Sequence, residues 1–414
     1  MKIAVLTLGC RSNQAESAQI EADALRYGHI LANASERADI CVINTCTVTE
    51  KADAQCRRMI SKALKAGQRV IVTGCSAEMN RKKLLKAFPE IELFGNEDKQ
   101  HIINKIGKSS ERMHGFTTLP SRHRPIVKVQ DGCDNFCSYC VVPYARGRSR
   151  SRSLHEVIAE VVKLESGGFN EIVLSGIHLG MYGKDHSFKS DLSHLLKELL
   201  LKTKMPRIRL SSLEVNEIHS ELLEVLSEER ICNHMHLPLQ SGHDRILKAM
   251  NRRYSVHDYE QCVLTIWKRN PDISLGADVL VGFPGEDDKS FDEAESFIKN
   301  LPLSYLHVFP YSRREGTPAA KMQRQIPENI KKKRSQRLRQ LGALKRKDFI
   351  RSQAGKIETA IVESVRHGEC CATTGNYIKV VFQSREHHAA GSLVTVRFDE
   401  GFSDFSHAHE ENNE

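Results

Sequence analysis

Residues 132 to 148 read GCDNFCSYCVVPYARGR and bring Cys133, Cys137 and Cys140 into one short segment. Thiols at that density are suited to a metal, and metals held by side chains alone usually take four ligands. A zinc site would draw its fourth ligand from a second cysteine pair or keep a catalytic water. No second pair follows at the expected distance, and Cys232 and Cys262, isolated in different segments, read as core residues. A [4Fe–4S] cluster bound by three thiolates keeps one iron open, and a reactant can occupy that position.

A second set of cysteines is dispersed. Cys10 ends TLGC, Cys46 ends INTC and Cys75 ends VTGC, each closing a strand-like apolar run. Between those runs lie NQAESAQIEADALRYGH and TVTEKADAQCRRMISKALKAG, and SAEMNRKKLLKAF follows the third; the second has apolar residues at helical spacing. Strands alternating with helices give a parallel sheet, whose strands all end at the same edge, where ligands bind. One topological rule therefore predicts that Cys10, Cys46 and Cys75 share a metal site. Cys41, inside a strand, and Cys56, on a helix, read as ordinary buried residues. Thr47 with Glu50 predicts a capping box that starts the second helix just after Cys46.

From about 108 to 123 the chain turns polar and loses periodicity, which reads as a linker. A second alternating series follows, with strands PIVKVQ, EIVLSG, RIRLSS, HMHLPLQ, ISLGADVLVGF and YLHVFPYS. Six strand–helix units predict an incomplete parallel barrel, short of the closed eight-fold form. The basic segment ENIKKKRSQRLRQLGALKRKDFI reads as a helix, and its KKKRSQRLRQ could track an RNA backbone or simply face solvent. Beyond it IETAIVESV, NYIKVVFQS and SLVTVRFD alternate at strand period, predicting a small antiparallel barrel, and SHAHEENNE reads as a mobile polar tail. Few aromatics fall in that barrel, so RNA binding there would rest on charge and shape, and Cys370 and Cys371 receive no role.

The 414 residues are 40% hydrophobic and 27% charged, a globular mixture that excludes a disordered chain. No apolar run approaches the roughly 20 residues of a bilayer span, and MKIAVLTLGC reads as a first strand rather than a signal peptide. These features predict a cytoplasmic protein with no membrane partner. In a reducing compartment, the 12 cysteines point to metal rather than disulfides, and the net charge of +9 suits an acidic partner such as nucleic acid.

CDNFCSYC, with Tyr139 before its last cysteine, resembles the radical S-adenosylmethionine signature. TLGCRSNQAES, VINTCTVTEKADA and VTGC resemble the N-terminal domain of the methylthiotransferases, VVPYARGRSRSR, HMHLPLQSGHDRILKAMNRRY and GADVLVGFPGE their central domain, and the final β segment the RNA-binding TRAM domain. The resemblance implies an α/β chain of three parts: a parallel-sheet domain at 1–107, a radical S-adenosylmethionine core at 119–349 built as an incomplete (β/α)6 barrel, and a TRAM barrel at 351–414. It also implies two [4Fe–4S] clusters, one on Cys133, Cys137 and Cys140 and one on Cys10, Cys46 and Cys75. S-adenosylmethionine would chelate the open iron of the first through its amino and carboxylate groups. Ser175 and Gly176 would meet the cofactor's amino group, and Gln240 and Ser241 its ribose. The N-terminal motifs and VFPYSRREGTPAAKM resemble the branch that acts on threonylcarbamoyladenosine beside the tRNA anticodon; Arg11 and Ser12 stand where the isopentenyladenosine branch commonly shows Lys-Val. tRNA and an electron donor, which the sequence does not identify, are the implied partners. The alternatives are methylthiolation of isopentenyladenosine in tRNA, methylthiolation of an aspartate in a ribosomal protein, and a non-catalytic RNA-binding protein with structural zinc. No catalytic acid or base is assigned, because an aromatic C–H bond is not broken by ordinary proton transfer. ARGRSRSR could hold phosphates near the reaction centre.

Overall fold

A computed structural model describes residues 1–32, 36–107, 123–185, 190–384, 387–399 and 406–411, so most of the expected linker lies outside the described residues. The chain divides into two compact units, one of residues 1–122, 131–149 and 312–320, the other of 123–130, 150–311 and 321–414. The first unit is thus discontinuous. No helix among the described residues is long and apolar enough to cross a membrane.

The first unit is built on strands β1 (Lys2–Thr7), β2 (Ile30–Leu31), β3 (Ile40–Thr45), β4 (Arg69–Gly74) and β5 (Glu92–Leu93), all parallel and ordered β2-β1-β3-β4-β5. The central strand ICVINT is buried at every residue, as a parallel strand covered on both faces must be. Its alternate residues serve two cores: Cys41 and Ile43 pack with Cys56, Ile60 and Ala63, while Ile40 and Val42 pack with Ile20, Ala24 and Ile102. The second helix, Glu50–Lys65, begins later than the sequence suggests. Thr49 is its cap, accepting from the Ala52 amide at 3.1 Å. Thr47 is fully buried and donates instead to Asp53 at 2.8 Å, because its hydroxyl is drawn into the polar cluster beneath the cysteine loops.

Two short strands, β7 (Gln130–Asp131) and β8 (Arg150–Ser151), flank the cysteine-rich segment in sequence. The second unit carries six parallel strands of an open barrel as two sheets. β6 (Ile126–Lys128), β9 (Glu171–Ser175) and β10 (Arg207–Leu210) form one, and β11 (His234–His236), β12 (Ser274–Val281) and β13 (Tyr305–Pro310) the other. A single bridge between Ile208 and Ile231 links β10 towards β11. β6 and β13 remain as the two edges. Leu275, Ala277, Val279 and Val281 turn outward into the main core with Val157, Val161, Tyr259 and Val263 of the surrounding helices.

The final β segment closes into a barrel of β14 (Ile357–Arg366), β15 (Glu369–Thr374), β16 (Lys379–Gln383), β17 (Leu393–Phe398) and β18 (Ser406–Glu410). Its pairings are antiparallel except β16 with β18. Residues 406–410 of the segment read as a mobile tail are thus the closing strand. SHAHE offers one apolar inward residue, Ala408, and is held by backbone pairing to β16 and β17 rather than by apolar burial.

A buried ion cluster ties this barrel to the start of β9 and β10. Glu171 is fully buried and meets Arg207 at 2.7 Å, Arg209 at 2.8 Å and Arg124 at 3.7 Å. The same arginines donate to barrel carbonyls: Arg207 to Thr359 at 3.0 Å, Arg209 to Gly375 at 2.9 Å and Thr374 at 3.0 Å. Burial alone would raise the Glu171 pKa, but Arg209 and Arg207 outweigh it and hold the carboxyl below its ordinary range. The stabilisation is therefore complete above the ordinary glutamate value of about 4.3 and is lost as acid passes through the depressed one. Glu171→Gln should cost roughly 3 kcal/mol at neutral pH by leaving buried guanidinium groups unpaired, with the gap to wild type closing below about pH 4. Urea midpoints across that pH range measure both effects.

Candidate metal centre and cofactor site

Cys10 caps the first helix, Cys46 follows β3 and Cys75 follows β4, all at the carboxyl edge of the first unit's sheet. The three thiols are near enough to oppose one another's ionisation: Cys10 and Cys75 both raise the pKa of Cys46. Gly9 and Gly74 make the gathering possible. A side chain at Gly9 would lie 2.9 Å from the Cys46 sulfur, and one at Gly74 would lie 2.6 Å from the Thr45 amide; both glycines have positive φ. Burial pushes the Cys46 thiol up to about 11, and burial raises Cys75 while Arg146 and Lys99 oppose the rise.

The opposing charge comes through one buried guanidinium. Arg146 donates to Glu16 at 2.7 Å, to Asp131 at 2.9 Å and to the Asn13 side-chain oxygen. Asn13 donates onward to the carbonyls of Leu8 at 2.7 Å and Thr45 at 3.0 Å, the residues leading into Cys10 and Cys46. Lys99 pairs with the same Glu16. A parallel network lies on the other flank, where Asp53 accepts from Thr47, Ser76 and Arg314. Side chains next to all three cysteines are therefore fixed by polar bonds, and two cations sit beside Cys75.

Cys133, Cys137 and Cys140 lie in a segment of the same unit that closes on itself. The Cys133 amide donates to Gly147 at 3.1 Å and the Ser149 amide to Asp134 at 3.3 Å. Phe136, just before Cys137, takes a left-handed φ of 46°, a strained setting for a non-glycine residue that recurs at functional loops. The amides of Asn135 and Val142 point at the sulfurs of Cys133 and Cys140, at 3.5 and 3.4 Å. Amide donors of this kind tune iron–sulfur clusters.

Among the described residues, the one group with three ligand atoms within 4.8 Å of one another is His236, Asp278 and His307. That group is a hydrogen-bonded ladder, Asp278 taking His236 at 2.9 Å and His307 at 3.3 Å. Two other histidines also have partners, His178 in Glu217 and His234 in the Tyr305 hydroxyl at 2.8 Å.

The four cofactor residues suggested by sequence fall in the second unit, at two strand ends. Ser175 closes β9 and is buried; a side chain at Gly176 would strike Gln130, whose side-chain oxygen accepts the His178 amide at 2.8 Å. Gln240 has a φ of 65°, pinned by its amide to Asp278 at 2.8 Å and its carbonyl to Leu280 at 2.8 Å; Ser241 is buried beside it. Three of the four arginines in ARGRSRSR have acidic partners. Arg146 is buried in the network above, Arg152 meets Glu160 at 2.5 Å, and Arg148 pairs with Asp134 at 3.1 Å.

Residues 127–298 match the Radical SAM superfamily and residues 2–95 match Uncharacterized protein family UPF0004. A protein of Aquifex aeolicus named threonylcarbamoyladenosine tRNA methylthiotransferase MtaB is 38% identical, aligned over 96% of this chain and all of its own. A Bacillus subtilis protein of the same name is 36% identical over 95% of this chain and 93% of its own. A Clostridium botulinum protein named tRNA-2-methylthio-N(6)-dimethylallyladenosine synthase is 32% identical over 86% and 85%. Among solved structures, the radical S-adenosylmethionine methyltransferase TsrM of Kitasatospora setae shares the fold, with a TM-score of 0.57 at 14% identity over 77% of each chain. Open parallel barrel and three-cysteine segment together mark the radical S-adenosylmethionine class, which uses a [4Fe–4S] cluster with that cofactor. Within it, the chain belongs to the methylthiotransferase family.

Sequence reasoning missed Asn13, Glu16, Lys99, Asp131 and Arg146. The one signal was position: Asn13 and Asp131 lie within three residues of a cysteine in sequence, where an orienting group is expected. Arg146→Met should leave Glu16 and Asp131 facing no guanidinium and destabilise the first unit by about 3 kcal/mol, whereas Arg146→Lys should recover part of it. Denaturation of the metal-free protein reads this directly.

Proposed function

We propose that this protein inserts a methylthio group at C2 of N6-threonylcarbamoyladenosine beside the tRNA anticodon, using S-adenosylmethionine and two [4Fe–4S] clusters in the cytoplasm. The reading is supported by the placement of Cys10, Cys46 and Cys75, far apart in sequence, at one edge of a parallel sheet, in a chain similar along its length to proteins named for this activity. We divide the labour among segments 1–107, 119–349 and 351–414.

When bound, the cluster on Cys133, Cys137 and Cys140 would supply with S-adenosylmethionine the one-electron chemistry that an unactivated aromatic C–H bond requires, and the cluster on Cys10, Cys46 and Cys75 an open iron for sulfur. The chain's own work is to hold and to shield. Amides of Asn135 and Val142 stabilise thiolate charge at the first site. Arg146 and Lys99 offset it at the second, beside Cys75. Ser175, Gly176, Gln240 and Ser241 offer buried or backbone-fixed polar groups at strand ends, where barrel enzymes bind their ligands. No side chain is asked to remove a proton.

The dimethylallyladenosine relative supports a second reading, in which the base modified is isopentenyladenosine. Mass spectrometry of tRNA nucleosides from a deletion strain separates the two: we expect loss of 2-methylthio-threonylcarbamoyladenosine with the isopentenyl product untouched. The purified anaerobic protein should be brown and hold about eight irons, as two four-iron clusters. Cys137→Ala should abolish cleavage of S-adenosylmethionine. Cys46→Ala should retain cleavage with about four irons fewer but stop sulfur insertion; product formation by that variant would refute the division between the clusters.

A further inference from the structure

The edge strand β13 carries a row of rings that none of the roles above uses. Its outward residues Leu306 and Val308 enter the main core. Its other face presents Tyr305, His307 and Phe309, with ring centroids 5.2 and 6.4 Å apart in succession. Phe309 is 46% exposed. The His307 side chain is 53% exposed and is steadied by Asp278 at 3.3 Å. Gly276, opposite Tyr305 in the neighbouring strand, leaves room for the tyrosine ring; any side chain there would collide with it.

At the foot of this strand lies a groove of about 410 Å³ between β13, the helix Glu328–Ser352 and the closed barrel. Arg124, Arg339, Arg346 and Lys379 line it together with Tyr305 and Tyr377. Arg124 is neutralised by Glu171 and Glu363. The other three make no ion pair among the described residues. Arg339 donates only weakly to the Val308 carbonyl at 3.3 Å. Arg346 donates to the Tyr377 carbonyl at 2.9 Å, while its other terminal nitrogen is buried with no hydrogen-bond partner. The same helix neutralises three of its earlier cations: Lys331 meets Glu328 at 2.6 Å, Arg334 meets Glu286 at 2.7 Å, and Arg337 meets Asp292 at 2.9 Å. Charge is thus left uncompensated at the groove, while those three are cancelled on the preceding turns.

Unpaired cations in a concave site attract an anion, and flat rings leading away from it accept bases. We propose that the groove binds a backbone phosphate of single-stranded RNA and that Tyr305, His307 and Phe309 stack the adjoining nucleotides. This rests on the reading of tRNA as the substrate and places a contact for its unpaired loop on the barrel edge.

The test uses the full-length, cluster-loaded protein and a fluorescent RNA hairpin with a loop of about seven nucleotides, titrated at several salt concentrations. The exposed pair Arg339→Glu with Lys379→Glu should weaken binding at least about 10-fold and flatten the salt dependence by about 1.4, near 0.7 for each lost phosphate contact. Phe309→Ala should weaken binding about 10-fold and leave the salt dependence unchanged, because stacking releases no counterions. Lys268→Glu with Arg269→Glu, an exposed basic pair away from the groove, is the comparison. If that pair weakens binding as much as the groove pair, or if Phe309→Ala has no effect, the proposed platform is overturned. Equal affinity of the wild type for a polyglutamate peptide would overturn it in favour of an acidic protein partner. Failure of the wild type to bind the hairpin at all would instead sink the tRNA reading beneath it.

Discussion

The first unit hangs on a buried positive charge. Arg146 arises in the segment that carries Cys133, Cys137 and Cys140, yet its bonds end on Asn13 and Glu16 of the first helix and its field falls on Cys75. Burying a guanidinium is costly unless carboxylates and hydrogen bonds surround it, and here Glu16 and Asp131 do so. The geometry of one set of thiols is thereby tied to the other without either cysteine loop touching the chemistry of its neighbour through a covalent link. Oriented side chains behind metal ligands govern ligand position and metal electronics, and Arg146 would give both sets of cysteines one such support.

The second unit uses the same device for a different end. Glu171 takes three arginines at the base of the open barrel, and the arginines continue to carbonyls of the closed barrel. The closed barrel is fixed by directional bonds from these buried arginines. Its neighbour Tyr377 then meets His234 at a ring separation of 4.6 Å, extending the aromatic row of β13 onto the small barrel. Arg209 both pairs with Glu171 and lies 5.1 Å over the Tyr377 ring.

Much of this was legible in the sequence, and the reason is topology. The rule that parallel strands end at a common edge brings Cys10, Cys46 and Cys75 together without any knowledge of side-chain contacts. The six barrel strands announced themselves as short apolar or alternating runs spaced by helical segments. What stayed hidden was polar and long-range. Arg146 reaches Asn13 across 133 positions, and Arg314 reaches Thr47 across 267. No periodicity marks such pairs. The strand Ser406–Glu410 was illegible for a related reason, since backbone pairing to β16 and β17 asks nothing of the side-chain pattern. Thr49 took the helix cap expected of Thr47 once Asp53 and Arg314 claimed the earlier hydroxyl. The basic stretches left RNA contact and a solvated face both open, because charge runs do not disclose which members are already spent on acidic neighbours; along the long helix, Arg339 and Arg346 line the groove.

Because the first unit gathers residues 1–122, 131–149 and 312–320, its assembly cannot finish in the order in which a ribosome delivers the chain. The sheet and its two cores are complete once the first hundred or so residues emerge, but Glu16 then waits for Arg146, and Asp53 waits much longer for Arg314. At roughly 5–20 residues per second, the second wait lasts on the order of ten seconds or more. Through that interval Thr47 and Asp53 stand without the guanidinium that bonds them both, so the polar network beside Cys46 closes only after synthesis has passed residue 314.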